Sequence, residues 1–113
     1  MTDESFRKDE RVAVSLDCLV HRNHENFPCH ILDLGLGGLS AELDRKLEAS
    51  QILELEFSLP GSELSLRLPA RVQWCRRRDE RWHVGMAFVD PPGRSLVHIA
   101  EWLARTPRTT EHP

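Results

Sequence analysis

No apolar run in this chain approaches the length of a membrane span, and its first residues, MTDESFRKDER, lack the apolar stretch of a signal peptide. The cytoplasm is therefore the expected compartment, with no membrane insertion. Cysteine is scarce and odd in number. Cys18, Cys29 and Cys75 fall in strand-like segments, which argues against a disulfide framework and for reduced, buried thiols. Cys18-x-x-His21 and Cys29-His30 are the nearest approach to a ligand set, but no C-x-x-C or H-E-x-x-H spacing completes it, so no metal is expected. A catalytic triad and a phosphate loop are missing as well, and an enzyme is not expected. Lysine is nearly absent: thirteen of the fifteen basic residues are arginine. Arginine is the side chain suited to bidentate contact with phosphate or a guanine edge. The net charge of -3 nevertheless gives no drive toward DNA or an anionic membrane. An interleaved basic and aromatic stripe for single-stranded nucleic acid is also lacking.

What is present reads as one domain: 113 residues, 40% hydrophobic and 29% charged, enough to bury a core without staples. Residues 1–10 are polar and predict a flexible arm. From Arg11 the pattern alternates strictly, with Val12, Val14, Leu16, Cys18 and Val20 on one face of a strand. After a polar turn, Phe27, Cys29 and Ile31 alternate, then Leu39, Ala41 and Leu43. Asp44 to Ser50 reads as a charged connection. Leu53, Leu55, Phe57 and Leu59 follow, and after Pro60-Gly61-Ser62 the longest strand signal places Leu64, Leu66, Leu68, Ala70, Val72 and Trp74 on one face. Pro69 within it predicts an edge or a bulge. A charged hairpin over Arg76 to Arg81 leads to Trp82, Val84, Met86 and Phe88.

Asp90-Pro91-Pro92 then starts a helix, with Asp as a possible cap and Leu96, Ile99, Ala100 and Leu103 as its apolar stripe. Six strands and one helix make a mainly β protein, a small antiparallel barrel or sandwich with a helix packed on it. Domain bounds are expected at 11–104 for this body, with the arm before it and a disordered tail over 105–113.

Two stretches stand outside the core pattern. Arg7-Lys8-Asp9-Glu10-Arg11 sets two arginines four apart where the arm meets the first strand. Asp33-Leu34-Gly35-Leu36-Gly37-Gly38 crosses from the second strand to the third, with three glycines in four positions. Glycine weakens a strand interior, so such a run requires a bend or a close approach of backbone. A Rossmann reading fails, since position 40 is Ser40 and no helix pattern follows.

In this order and on this strand pattern, the two stretches resemble the PilZ domain family. Arg7 and Arg11 match its R-x-x-x-R motif. Asp33 and Gly38 match the ends of its [D/N]-x-S-x-x-G motif, while Gly35 stands where serine is usual. Val72-x-Trp74 and Val84-Gly85-Met86-Ala87-Phe88 look like the family's later strands, so the likeness spans about residues 6 to 104. The resemblance implies a six-stranded antiparallel barrel with a C-terminal helix, and binding of cyclic di-GMP.

Its ligand residues would be Arg7, Arg11, Asp33, Gly35 and Gly38, with Lys8, Trp74 and Arg76 as secondary candidates. Six of these have a structural alternative: a solvated arm for Arg7 and Arg11, a turn cap for Asp33, a barrel corner for Gly38, core packing for Trp74 and a solvated hairpin tip for Arg76. Absence of the serine hydroxyl at Gly35 is expected to cost about 0.5–1.5 kcal/mol, up to roughly tenfold in affinity, and Gly35→Ser to restore it. The implied protein is a receptor and adaptor for a protein effector, switched when ligand orders the arginine arm; its oligomeric state is left open by the residues, with a monomer favoured. The alternative is a degenerate interaction module of the same fold that binds no nucleotide.

Overall fold

The computed structural model describes residues 10–106. Six strands run β1 (Arg11–Arg22), β2 (Glu25–Gly35), β3 (Gly38–Leu43), β4 (Ile52–Ser58), β5 (Ser65–Arg78) and β6 (Arg81–Phe88), and α1 (Gly93–Arg105) follows. They close into one antiparallel barrel in the order β1-β2-β3-β6-β5-β4. Alternation decides which face goes inward. Val20, Ile31, Leu34, Leu39, Ala41, Leu43, Leu55, Leu68 and Val84 are fully buried, and their strand neighbours carry the charges outward. Closure lies between β1 and β4, where His21 Nε2 sits 2.7 Å from Glu56 Oε1. That hydrogen bond holds the Glu56 carboxyl below its usual range. Cys18 and Cys29 face one another across β1 and β2 as free, buried thiols. Contact with Cys29, then burial, pushes the Cys18 thiol far up, so it stays protonated.

Register shifts interrupt three pairings: between Ala13 and Leu16 on β1, between Ile31 and Asp33 on β2, and between Val72 and Trp74 on β5. Each inserts residues without a partner and so changes which face the following side chain takes. The last shift overturns the reading of Trp74 as a core residue. Val72 pairs with Met86 and Trp74 with Gly85, leaving Gln73 unmatched, while buried Val84 pairs with Cys75. The inward face therefore passes from Val72 to Cys75, and Trp74 turns outward.

Pro69 is an edge only locally. β4 pairs with β5 up to Arg71, whereas β6 joins β5 from Ala70 onward, so Pro69 has strand pairing on one side alone. Its missing N–H leaves no gap in a ladder.

Two other expectations shift. The segment 44–50 is not only a charged connection, because Leu47 is fully buried in the core and its N–H points to Cys75 Sγ at 3.4 Å. In α1 the cap is Pro92, without a side-chain hydrogen bond, and Asp90 sits before it at φ 41°. The core stripe of α1 is Ser95, Ile99, Trp102 and Leu103, so Leu96 and Ala100 stay only half-buried. Trp102 displaces them because its large ring covers more barrel surface. Leu47→Ala is expected to lose about 2–5 kcal/mol, a core-cavity effect that urea denaturation would read. A loss under 0.5 kcal/mol would return Leu47 to the status of a loop residue.

Candidate functional site

The bulges gather the polar outliers onto one line across the outside of the barrel. Asp33 pairs with Ser40, Ser40 with Gly85, and Gly85 with Trp74, a single rung through β2, β3, β6 and β5. At its β2 end the Asp33 carboxylate is the acceptor for three donors. Arg11 Nη1 donates at 3.0 Å, Ser40 Oγ at 2.6 Å and the Ser40 N–H at 3.2 Å. Asp33 is still 34% exposed at its side chain, so one further donor can reach it from solvent. Ser40 is buried at 4% exposure and is held by this carboxylate.

At the β5 end the Trp74 ring lies directly on Gly85, where any Cβ would collide with the indole. Gly85 is thus a glycine so that the indole can lie flat against the sheet. The Arg76 guanidinium lies 4.8 Å from the Trp74 ring centre, and His83 meets the ring edge-on at 5.1 Å. Arg78 Nη1 is 3.1 Å from His83 Nδ1, while His83 Nε2 is buried with no partner among the described residues. Trp74, His83 and Arg76 to Arg78 line a cleft of about 510 Å³. Between the two ends the side chains are small: Ser40 and Gly85 on the rung, Gly38 and Ala87 on the next, which ends at exposed Arg71. A strip of short side chains, with a carboxylate and arginine at one end and an aromatic face with arginines at the other, fits a flat, anionic ligand with hydrogen-bond donors.

Gly35 and Gly38 act by close approach, and neither they nor Gly37 rely on a left-handed backbone. None has a positive φ; among the described glycines only Gly61 does. A Cβ on Gly35 would run into the Glu10 carbonyl oxygen, and one on Gly38 into the Met86 carbonyl. Gly37 accepts from the Phe88 N–H at 2.9 Å. Gly35 is therefore covered by the chain entering β1, so a serine there meets backbone rather than open space. A hydroxymethyl group at this position displaces Glu10 and Arg11 before it can reach a ligand.

Of the sequence-predicted residues, the structure brings together Arg11, Asp33, Gly35, Gly38, Trp74 and Arg76 on this side of the barrel. Arg7 and Lys8 lie outside the described residues. Ser40, Gly85 and His83 were missed. A polar residue amid Leu39, Ala41 and Leu43 flags Ser40 as outward-facing, but its hydrogen bonds to Asp33 depend on cross-strand register. Among the described residues no group of three or more His, Cys, Asp and Glu is placed to hold a metal ion, and no helix is long and apolar enough to cross a membrane.

The fold is a closed antiparallel barrel with one C-terminal helix. The PilZ domain family model matches residues 5–105, and the chain belongs to that family. Its structure resembles the inhibitor of motility MotI/DgrA of Bacillus subtilis, with a TM-score of 0.77 and 14% identity over 93% of this chain and 51% of that one. YcgR of Escherichia coli, in complex with c-di-GMP, gives 0.73 and 16% over 87% of this chain and 44% of that one. The PilZ domain of YcgR with c-di-GMP gives 0.68 and 16%, over 88% and 94%. These chains share the fold.

A stretch of Mediator of RNA polymerase II transcription subunit 24 from Xenopus laevis is 30% identical over 105 residues, 92% of this chain and 10% of that protein. The chain thus spans a tenth of this curated relative and about half of MotI and of YcgR.

Ser40→Ala is expected to lower stability by about 1 kcal/mol in a denaturant titration, the charged hydrogen-bond value reduced for an acceptor one-third exposed. Gly35→Ser is expected to cost about 1–3 kcal/mol as an overpacked position. An unchanged melting temperature for Gly35→Ser would show that Glu10 yields without cost.

Proposed function

We propose that the protein is a receptor for cyclic di-GMP that acts without catalysis. The observation that carries this reading is the rung from the Arg11–Asp33 pair through Ser40 and Gly85 to Trp74, in a member of the PilZ family. Support comes from the fold shared with YcgR, whose structures hold c-di-GMP.

The roles follow from the chemistry. Guanine N–H groups donate to the remaining acceptor position of Asp33, whose orientation Ser40 fixes. Arg11, released from or shared with Asp33, meets a phosphate or the O6/N7 edge of guanine, a contact of about 1–3 kcal/mol. The indole of Trp74 has one face on Gly85 and the other under the Arg76 guanidinium, and it receives a base on that outer face when Arg76 swings toward a phosphate, a stacking contact worth about 1–3 kcal/mol. Arg71 and Arg76 supply positive charge for the phosphates. Arg7 and Lys8, four and three residues before Arg11, would complete the grip. Engagement of residues 1–9 by the ligand would change the surface offered to a protein effector, which is how a receptor without catalysis transmits its state.

A second reading is carried by Gly35. With glycine where the family motif has serine, the same barrel can serve as a nucleotide-independent docking module. Isothermal titration separates the two. Micromolar or tighter cyclic di-GMP binding is expected. Asp33→Ala and Trp74→Ala should each weaken it by about 5–150-fold, the equivalent of 1–3 kcal/mol. Arg7→Ala with Arg11→Ala should abolish the signal. No heat at millimolar ligand would refute the receptor, and a pull-down whose bound partners are unchanged by added nucleotide would favour the docking module instead.

A further inference from the structure

A second polar row runs beside the rung, and its β6 member, His83, is set among cations. It lies opposite Arg76 on β5, and Arg78 Nη1 stands 3.1 Å from its Nδ1. Arg77 lines the same cleft, its Nε turned to the Asp79 carbonyl. Glu42 faces His83 from β3, but Arg81 Nε lies 3.7 Å from that carboxylate. Arg76 rests on the Trp74 ring and Arg78 on the imidazole, and neither pairs with a carboxylate among the described residues. Three guanidinium groups therefore border a cleft of about 510 Å³ whose lining carries no negative side chain. The hydrogen bond to Arg78 also fixes the state of the ring. A guanidinium only donates, so Nδ1 accepts and carries no proton, and Nε2 is the N–H. That N–H is buried without a partner among the described residues. A second proton, on Nδ1, would face the Arg78 N–H and add a further positive charge to the cleft.

We propose that a phosphate group of the nucleotide occupies this cleft and that His83 takes up a proton from the buffer as it binds. The proposal rests on the receptor reading above and assigns one end of the ligand within it. An anion in the cleft draws Arg76 off the indole and Arg78 off Nδ1, since each guanidinium gains a charged acceptor in place of a neutral ring. The freed nitrogen then faces a negative charge. An opposite charge within about 4–6 Å favours the protonated ring, which in turn donates to the phosphate. His83 thus positions Arg78 in the empty site and becomes a contact itself in the filled one. The direction of the pH effect follows. The complex holds more protons than its separate parts, so it forms more tightly as pH falls through the range in which histidine titrates. Glu42, already shared with Arg81, does not supply that proton's counter-charge.

Isothermal titration of the full chain with cyclic di-GMP tests this at about pH 6, 7 and 8, each in two buffers of different protonation heat. Binding about 3–10-fold tighter at the acid end is expected, tenfold being one pKa unit of preference for the charged ring. The difference in heat between buffers should report net proton uptake near neutral pH. His83→Gln keeps an amide oxygen for Arg78 but cannot titrate, and its affinity should be level across this range, with the uptake gone. Ring-nitrogen NMR gives a second readout in the unmutated protein. At neutral pH the His83 Nδ1 signal should move from its unprotonated to its protonated position when cyclic di-GMP is added. Binding without proton uptake, uptake that persists in His83→Gln, or an unmoved Nδ1 signal would overturn the proposal and leave the receptor standing. Absence of binding at every pH would overturn both.

Discussion

The carboxylate of Asp33 is the joint on which the candidate site turns. It binds Arg11 at the entry of β1 and both the hydroxyl and the N–H of Ser40 on β3, so one side chain ties three strands on the outside of the barrel. As an exposed ion pair alone, Arg11–Asp33 would contribute about 0–1 kcal/mol. Its value lies in geometry. Three donors hold the carboxylate in one orientation, and that orientation sets where the Arg11 guanidinium lies on the barrel. Removal of the joint therefore disturbs the site more than the fold, whose strength comes from the alternating apolar interior.

The register shifts supply the second constraint. A regular strand would send Trp74 to the face that Val72 occupies, into a core already filled by Met86 and Leu68. The unmatched Gln73 turns the indole outward, and Gly85 opposite gives it a bed with no Cβ in the way. On β2, the shift after Ile31 likewise aims Asp33 out while Leu34 returns inward to pair with Leu39. Bulges beside a site are a common way of re-aiming a side chain at small cost to the ladder. Here two of them place the opposite ends of one rung.

This explains what could be read from residue order and what could not. Period-two alternation is local, and so the six strands, the helix and most of the core were legible. The arginine spacing and Asp33-x-Gly35-x-x-Gly38 were legible as a family motif. Trp74 was misplaced because a bulge leaves no mark in an alternating pattern except a slip of one position, visible only against the partner strand. Ser40 and Gly85 escaped for a related reason, since their roles depend on what lies across from them. Leu47 was hidden among charged neighbours. Gly35 looked like a missing hydroxyl, whereas the backbone of Glu10 fills that space. In α1, Leu96 and Ala100 had the right spacing for the core, but the larger Trp102 took the inner face and left them half-buried.

The central claim is that one outer rung, β2 to β5, receives the nucleotide. Amide chemical-shift mapping of the protein titrated with cyclic di-GMP tests it most directly. Shifts concentrated at Arg11, Asp33, Ser40, Gly85 and Trp74, together with the Trp74 indole N–H, are expected, while the β1–β4 seam around His21 and Glu56 stays unmoved. Shifts centred on that seam, or none at saturating ligand, would contradict it.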